Sequence, residues 1–265
     1  MTIRYANGTA FETFGDSSHP AIILIHGLGL TRQTFSEFIP ALAEDYFVIT
    51  YDLLGHGQTA LPESKVSLTS LSKQLLALMD HLTIADAHII GFSLGGMINR
   101  RFAIDNPQRV SSLIILNSPH ERSKEEQEAV EKRATDTNQG GISATIETTL
   151  QRWFTNDFIT SHPHIVEWVR QTVLANHFEN YVAHRFVLAA GVKELIAPKP
   201  AITHPTLIIT CENDSGSSPQ MAEQIHNEIA GSELLIINEL QHLGLLERPQ
   251  AFTDAILSFL RSHIS

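Results

Sequence analysis

The sequence predicts an α/β protein in which a mostly parallel central sheet is flanked by helices and interrupted by an inserted helical cap. Short, continuously apolar runs recur along the chain without the alternation of a half-exposed strand, as expected for strands covered on both faces. Amphipathic helical patterns separate these runs, and the alternation stops once, between residues 120 and 200, where helical periodicity continues without a strand. At 265 residues and 43% hydrophobic content, one core with an inserted subdomain accounts for the length.

The elements follow in order. "TIRYANGTAFETF" reads as two short strands around Asn7-Gly8, a dipeptide favoured in tight hairpins. Parallel strands are then expected at Ala21–His26, Tyr46–Asp52, Ala87–Ser93, Val110–Asn117, Thr206–Asp214 and Glu233–Asn238. Between the second and third of these, Leu68, Leu71, Leu75, Leu78 and Leu82 form an apolar stripe at spacings of three and four. Residues 1–119 and 201–265 are assigned to the sheet core, and 120–200 to a cap built from "SATIETTLQRWFTNDF", "HIVEWVRQTVLANH" and "YVAHRFVLAAGVKEL". The densest charge run, "RSKEEQEAVEKR", reads as a solvated helix with mixed-sign pairs at i,i+4.

Composition narrows the function. The formal charge is −11 and no lysine or arginine cluster exceeds two residues, which argues against nucleic acid as a partner. The longest apolar stretches are too short to span a bilayer, and the first residues carry neither a basic leader nor an apolar signal core. A single cysteine, Cys211, excludes an internal disulfide and suits a reducing compartment. A cytoplasmic, soluble protein is expected, with neither membrane nor nucleic acid as partner; monomer and homodimer stay open.

In open parallel sheets, ligand chemistry collects beyond the carboxyl ends of the strands. There "GFSLGG" places Ser93 between Gly91 and Gly95 directly after an apolar run, the pattern of a strained strand-to-helix turn that lifts a serine oxygen clear of the sheet. Acyl transfer by a serine needs a base, an acid that holds the base in one tautomer, and donors for the oxyanion. Of 14 histidines, His242 lies in the loop after the last expected strand, where the order serine, aspartate, histidine places the base. Asp214, in the loop before Pro219, is the expected acid, with Glu212 as fallback. After the preceding strand the slot reads Asn117-Ser118-Pro119, with no carboxylate. Asp52 and His26 are read as structural. The backbone amides of Leu28, in "HGLG", and Leu94, just after Ser93, are the expected oxyanion donors. No metal or organic cofactor is required. Trp153, Phe154 and Trp168 are the first candidates for the substrate pocket, with Phe178, Tyr181 and Phe186 behind them.

Together, "HGLG", "YDLLGHGQT", "GFSLGG", "ENDSGSSP" and "QHLGLLERP" occur in an order that resembles the α/β-hydrolase superfamily across nearly the whole chain outside the cap. The resemblance implies the same five residues: Ser93, Asp214 and His242 as triad, Leu28 and Leu94 as oxyanion amides. A serine at the elbow, where haloalkane dehalogenases use aspartate, argues against dehalogenation. Within the superfamily, "FSLGGMINRRFAIDNPQRVSSLIILNS" and the cap segment "LQRWFTNDF" are similar to 3-oxoadipate enol-lactonases and related small carboxylesterases, which singles out Trp153 in the pocket. "LAAGVKEL" departs from the enol-lactonase pattern by lacking an aspartate near residues 190–193. The expected function is hydrolysis of a small-molecule carboxylic ester or lactone through an acyl-enzyme; for a dicarboxylate lactone, a cap arginine, Arg152 or Arg185, is the expected donor to the distal carboxylate. Two alternatives stay open, a carbon–carbon bond hydrolase of meta-cleavage-product type and a ligand-binding protein on a hydrolase scaffold.

Overall fold

Six of the apolar runs become six parallel strands. The computed structural model describes residues 3–263. Its eight strands are β1 (Arg4–Ala6), β2 (Thr9–Phe14), β3 (Ala21–Ile25), β4 (Phe47–Tyr51), β5 (Ala87–Phe92), β6 (Val110–Leu116), β7 (Thr206–Cys211) and β8 (Glu233–Ile237). They form one sheet in the order β1-β2-β4-β3-β5-β6-β7-β8. From β4 through β8 every pairing is parallel, while β2 runs antiparallel to both β1 and β4. The turn between β1 and β2 uses left-handed backbone at both Asn7 (φ 48°) and Gly8 (φ 79°), the geometry that matches hairpin twist. Ile23 pairs with Ile49 on one side and Ile89 on the other, so β3 lies in the middle of the core.

The strands end one to three residues earlier than expected, and the excluded residues include the polar ones that close each run. His26, Asp52, Ser93, Asn117 and Asp214 all lie beyond the last ladder position. For Ser93 and Asn117 the reason is direct, since φ values of 56° and 45° turn the backbone out of the extended conformation.

The helices are α1 (Ile39–Leu42), α2 (Leu68–His81), α3 (Leu94–Asp105), α4 (Lys124–Gly140), α5 (Ile146–Trp153), α6 (Asn156–Ser161), α7 (Pro163–Leu174), α8 (Phe178–Ala190), α9 (Pro219–Glu228), α10 (Gly244–Glu247) and α11 (Pro249–His263). The leucine stripe buries Leu68, Leu71, Leu75 and Leu78 on α2, which starts from a capping box between Ser67 and Ser70. Among the described residues no helix is long and apolar enough to cross a membrane.

Between β6 and β7 the chain forms α4 to α8 and, among the described residues, no strand. Side chains of this segment tie it to the loops at the carboxyl ends of the strands. The Asn176 amide donates to the Gly29 carbonyl at 2.9 Å, the Asn180 amide to Gly55 at 3.0 Å, and the Thr155 hydroxyl to the Glu247 carboxylate at 2.6 Å. The charge run forms α4, with Lys132 and Asp136 paired at 2.6 Å on its outer face. One part of the solvated-helix reading is corrected. Val130 and Ala134 are buried and Arg133 is partly so, because α4 packs one face on α8.

Candidate active site

The elbow depends on the absence of side chains around Ser93. A Cβ on Gly91 would lie 2.2 Å from the Gly95 carbonyl oxygen, and one on Gly95 would lie 2.1 Å from that of Ile25. Only glycine lets α3 start this close to the sheet. Ser93 itself sits at φ 56°, ψ −112°, a conformation a residue with a side chain adopts only under constraint. The constraint is visible on both sides of its peptide unit: its N–H donates to the Leu116 carbonyl at 2.8 Å, and its carbonyl accepts from the Ser118 hydroxyl at 2.9 Å.

Beyond the elbow, Ser93 Oγ lies 3.1 Å from His242 Nε2, and His242 Nδ1 lies 2.6 Å from Asp214 Oδ2. Because the carboxylate accepts from Nδ1–H, Nε2 is left as the acceptor for the serine hydroxyl proton. Burial opposes ionisation of Asp214. His242 opposite it, together with the Asn117 amide and the Gly216 N–H, nevertheless holds the carboxyl below its usual range. Asp214 is 2% exposed, and its second oxygen accepts from the N–H groups of Gly216 at 2.8 Å and Ser217 at 3.0 Å. The Asn117 amide donates to Oδ2 at 2.9 Å. Asn117 was not assigned a role from sequence, although its place at the end of β6 marked it as a residue facing this region. The His242 ring packs beside Phe92 and Trp153, with centroids 5.0 and 6.0 Å away. The Leu243 N–H donates to the Trp153 carbonyl at 2.8 Å, so the histidine loop and α5 hold each other.

Leu28 follows Gly27 in a turn closed by the Leu30 N–H on the Gly27 carbonyl at 3.2 Å. Leu94 is the first residue of α3. Among the described residues neither amide has a protein acceptor. The turn is braced by three buried histidines. His26 Nδ1 lies 2.7 Å from the Gly27 carbonyl and its Nε2 accepts from the Leu53 N–H at 3.0 Å, the structural role expected of it. His56 Nε2 accepts from the Gly29 N–H at 3.1 Å. Burial, with His184 and His26 nearby, keeps His56 well below the usual histidine range and therefore neutral, as an acceptor must be. The His184 ring, on α8, meets His56 edge-on with centroids 4.6 Å apart. Neither His56 nor His184 was singled out from sequence. Asp52 is bound to Arg32 and structural, and Glu212 accepts from the Glu239 N–H at 2.9 Å, away from His242.

One cleft contains Leu28, Ser93, Trp153, Tyr181, Asp214 and His242. Two expected pocket residues are corrected. Phe154 is fully buried and stacks on Phe158 with centroids 5.3 Å apart, because α5 ends there and its backbone turns extended. Trp168 packs against the core from α7 and does not line the cleft. Phe178 and Phe186 are exposed on α8 and also lie outside it. Arg152 and Arg185 do line the cleft, joined by Arg122 and Arg133, the first and last residues of the charge run.

A family model described as the alpha/beta hydrolase fold matches residues 20–249. The chain is 30% identical to 3-oxoadipate enol-lactonase 2 of Acinetobacter baylyi over 252 residues, covering 95% of this chain and 92% of that protein. Among solved structures, the enol-lactonase from Burkholderia xenovorans LB400 superposes with a TM-score of 0.89 at 26% identity, covering 98% of this chain and 100% of that one. A thermophilic esterase from Thermogutta terrifontis superposes with a TM-score of 0.86 at 26% identity, covering 97% and 94%.

Proposed function

The chain belongs to the alpha/beta hydrolase fold family, and from that premise we propose that it is a serine hydrolase of carboxylic esters or lactones. The observation that carries this reading is the continuous hydrogen-bonded line from Ser93 Oγ through the His242 ring to Asp214. The likeness to an enol-lactonase and an esterase supports the ester or lactone carbonyl as the reacting group.

In this reading Ser93 Oγ attacks the carbonyl carbon as His242 Nε2 takes its proton. The oxyanion forms against the Leu28 and Leu94 amides, donors already oriented before charge develops. Collapse breaks the carbon–oxygen bond, and the leaving oxygen takes the proton from His242. An alcohol departs from an ester, whereas from a lactone the new hydroxyl stays attached to the acyl chain. Water, deprotonated by His242, then attacks the acyl-enzyme and releases the carboxylic acid. Asp214 holds Nδ1–H throughout and stabilises the imidazolium without taking its proton.

The test compares wild type with Ser93→Ala on p-nitrophenyl esters from acetate to octanoate at neutral pH. Wild type is expected to turn over, and the variant to lose about 10³-fold or more in kcat. Equal rates for the two proteins would remove Ser93 from the chemistry.

A further inference from the structure

Ten of the twelve arginines fall into two sets; Arg4 and Arg100 belong to neither, and Arg100, buried outside the cleft, is held by the Gly96 and Pro119 carbonyls and the Ser118 hydroxyl. Outside the cleft, Arg32, Arg101, Arg109, Arg170, Arg248 and Arg261 each lie within 4.0 Å of a carboxylate. Inside it, Arg122, Arg133, Arg152 and Arg185 line one cavity with Ser93 and His242, and among the described residues none of the four reaches a carboxylate at that distance.

What the four do touch is neutral or weak. Arg122 donates to the Ala189 carbonyl at 3.2 Å and to the Gln127 amide oxygen at 3.3 Å. Arg152 reaches the Thr149 hydroxyl at 3.4 Å, and Arg185 lies over the Tyr181 ring, 5.5 Å from its centroid. Arg185 is only 7% exposed, and its Nε is buried without a hydrogen-bond partner. Nearby acids do not compensate. Glu126 and Glu131 act on Arg122 from a distance, but Glu126 caps the Ser123 N–H at 2.7 Å and Glu131 binds Gln127 at 2.7 Å. Asp214 is taken up by His242 and Asn117.

The strain of this arrangement shows in the charges themselves. Burial and the neighbouring Arg133 push Arg122 down to about 10, and burial with Arg133 and Arg185 pushes Arg152 down to about 10 as well. Burial and Arg185 lower Arg133 in the same way. Four converging guanidinium groups without counter-charges, in a chain of net charge −11, are not a product of composition. One carboxylate can satisfy a pair of guanidinium groups through its two oxygens, which leaves the other pair unmatched.

We propose that the cleft recognises substrates carrying two carboxylates in addition to the ester or lactone group, held by Arg122, Arg133, Arg152 and Arg185 while the reacting carbonyl lies at Ser93. This rests on the hydrolase reading of the same site. The two anionic groups offset half of the charge of the arginine set, and Arg185 Nε gains the acceptor that the protein does not supply.

The experiment uses calorimetric binding to full-length Ser93→Ala, which separates recognition from turnover. Succinate and glutarate are expected to bind at least about tenfold more tightly than butyrate and valerate, and to weaken steeply between low and high salt. Arg133→Gln and Arg122→Gln are expected to lose most of that diacid preference, with Arg133→Lys and Arg122→Lys restoring part of it. Melting curves verify that each variant is folded. Equal affinity for monoacids and diacids, or a diacid preference that survives both glutamine variants, overturns the proposal. Wild-type turnover of p-nitrophenyl acetate reports separately on the hydrolase reading. Turnover without diacid preference defeats the recognition proposal alone, and diacid binding in a protein with no esterase activity defeats the hydrolase reading.

Discussion

The sheet edge and the cap build the two halves of one cleft by opposite means. At the ends of the strands the side chains already have their partners inside the protein: Ser93 faces His242, His242 faces Asp214, and Asp214 accepts from Asn117, Gly216 and Ser217. In the cap, guanidinium groups converge without a carboxylate partner among the described residues, and Arg185 Nε has no acceptor. A satisfied network is rigid and ready to react, whereas an unsatisfied one holds binding capacity for a ligand. In this reading the sheet carries the chemistry and the cap carries the selection.

The largest way to break this contrast lies in the satisfied network. Asp214→Asn keeps the shape of the acid but can present its amide N–H to Nδ1, forcing the wrong tautomer on His242. We expect kcat on p-nitrophenyl acetate to fall by about 10³-fold or more. A loss of less than tenfold would show that Asp214 only fills space.

A second prediction concerns the seam where α8 meets the turn that holds Gly27 and Leu30. Burial drives His184 down to about 4, against the favourable bond to the Asn180 carbonyl, so folding depresses its pKa. A group depressed on folding contributes its full stability above the unfolded value of about 6.5, and that contribution is lost as pH falls toward the folded value. His56 and His26 shift in the same direction, again chiefly by burial. Asp214 is different. Its depressed carboxyl keeps its contribution until pH falls below the unfolded range near 4. Tm should therefore decline between pH 6.5 and 4.5, and decline less steeply in His184→Phe. Parallel slopes for the two proteins would dissociate the seam from the acid response.

The smallest effect belongs to the outer face of α4. Lys132→Ala removes an exposed ion pair with Asp136 and should change stability by less than about 0.5 kcal/mol in urea unfolding. A larger loss would mean that the charge run has a structural role beyond holding Arg133 inward.

The legible part of the molecule followed from short-range rules. Strands covered on both faces announce themselves as apolar runs, and the ends of those runs deliver the candidate residues in chain order. Ser93, Asp214 and His242 could therefore be named one by one as candidates, and the structure brings their side chains into one hydrogen-bonded line. Strand ends were overextended because Ser93 and Asn117 leave the ladder by a positive φ that their residue types do not reveal. The cap was read less well. Aromatic residues at helical spacing look alike whether they fill a core or line a cleft, so Phe154 and Trp168 were placed in the pocket with Trp153. Arg133 stands between lysine and alanine in a run whose lysines and glutamates are exposed, and nothing adjacent to it signals an inward turn.

The sequence by itself therefore determined the sheet, the elbow and the order of the candidate groups, since each depends on a residue and its immediate neighbours along the chain. Only the tertiary structure decided what surrounds them. The His56–His184 contact and the four-arginine cluster join residues from separate helices and loops, and such convergence is set by how α4, α5 and α8 pack over the sheet, which no local spacing encodes.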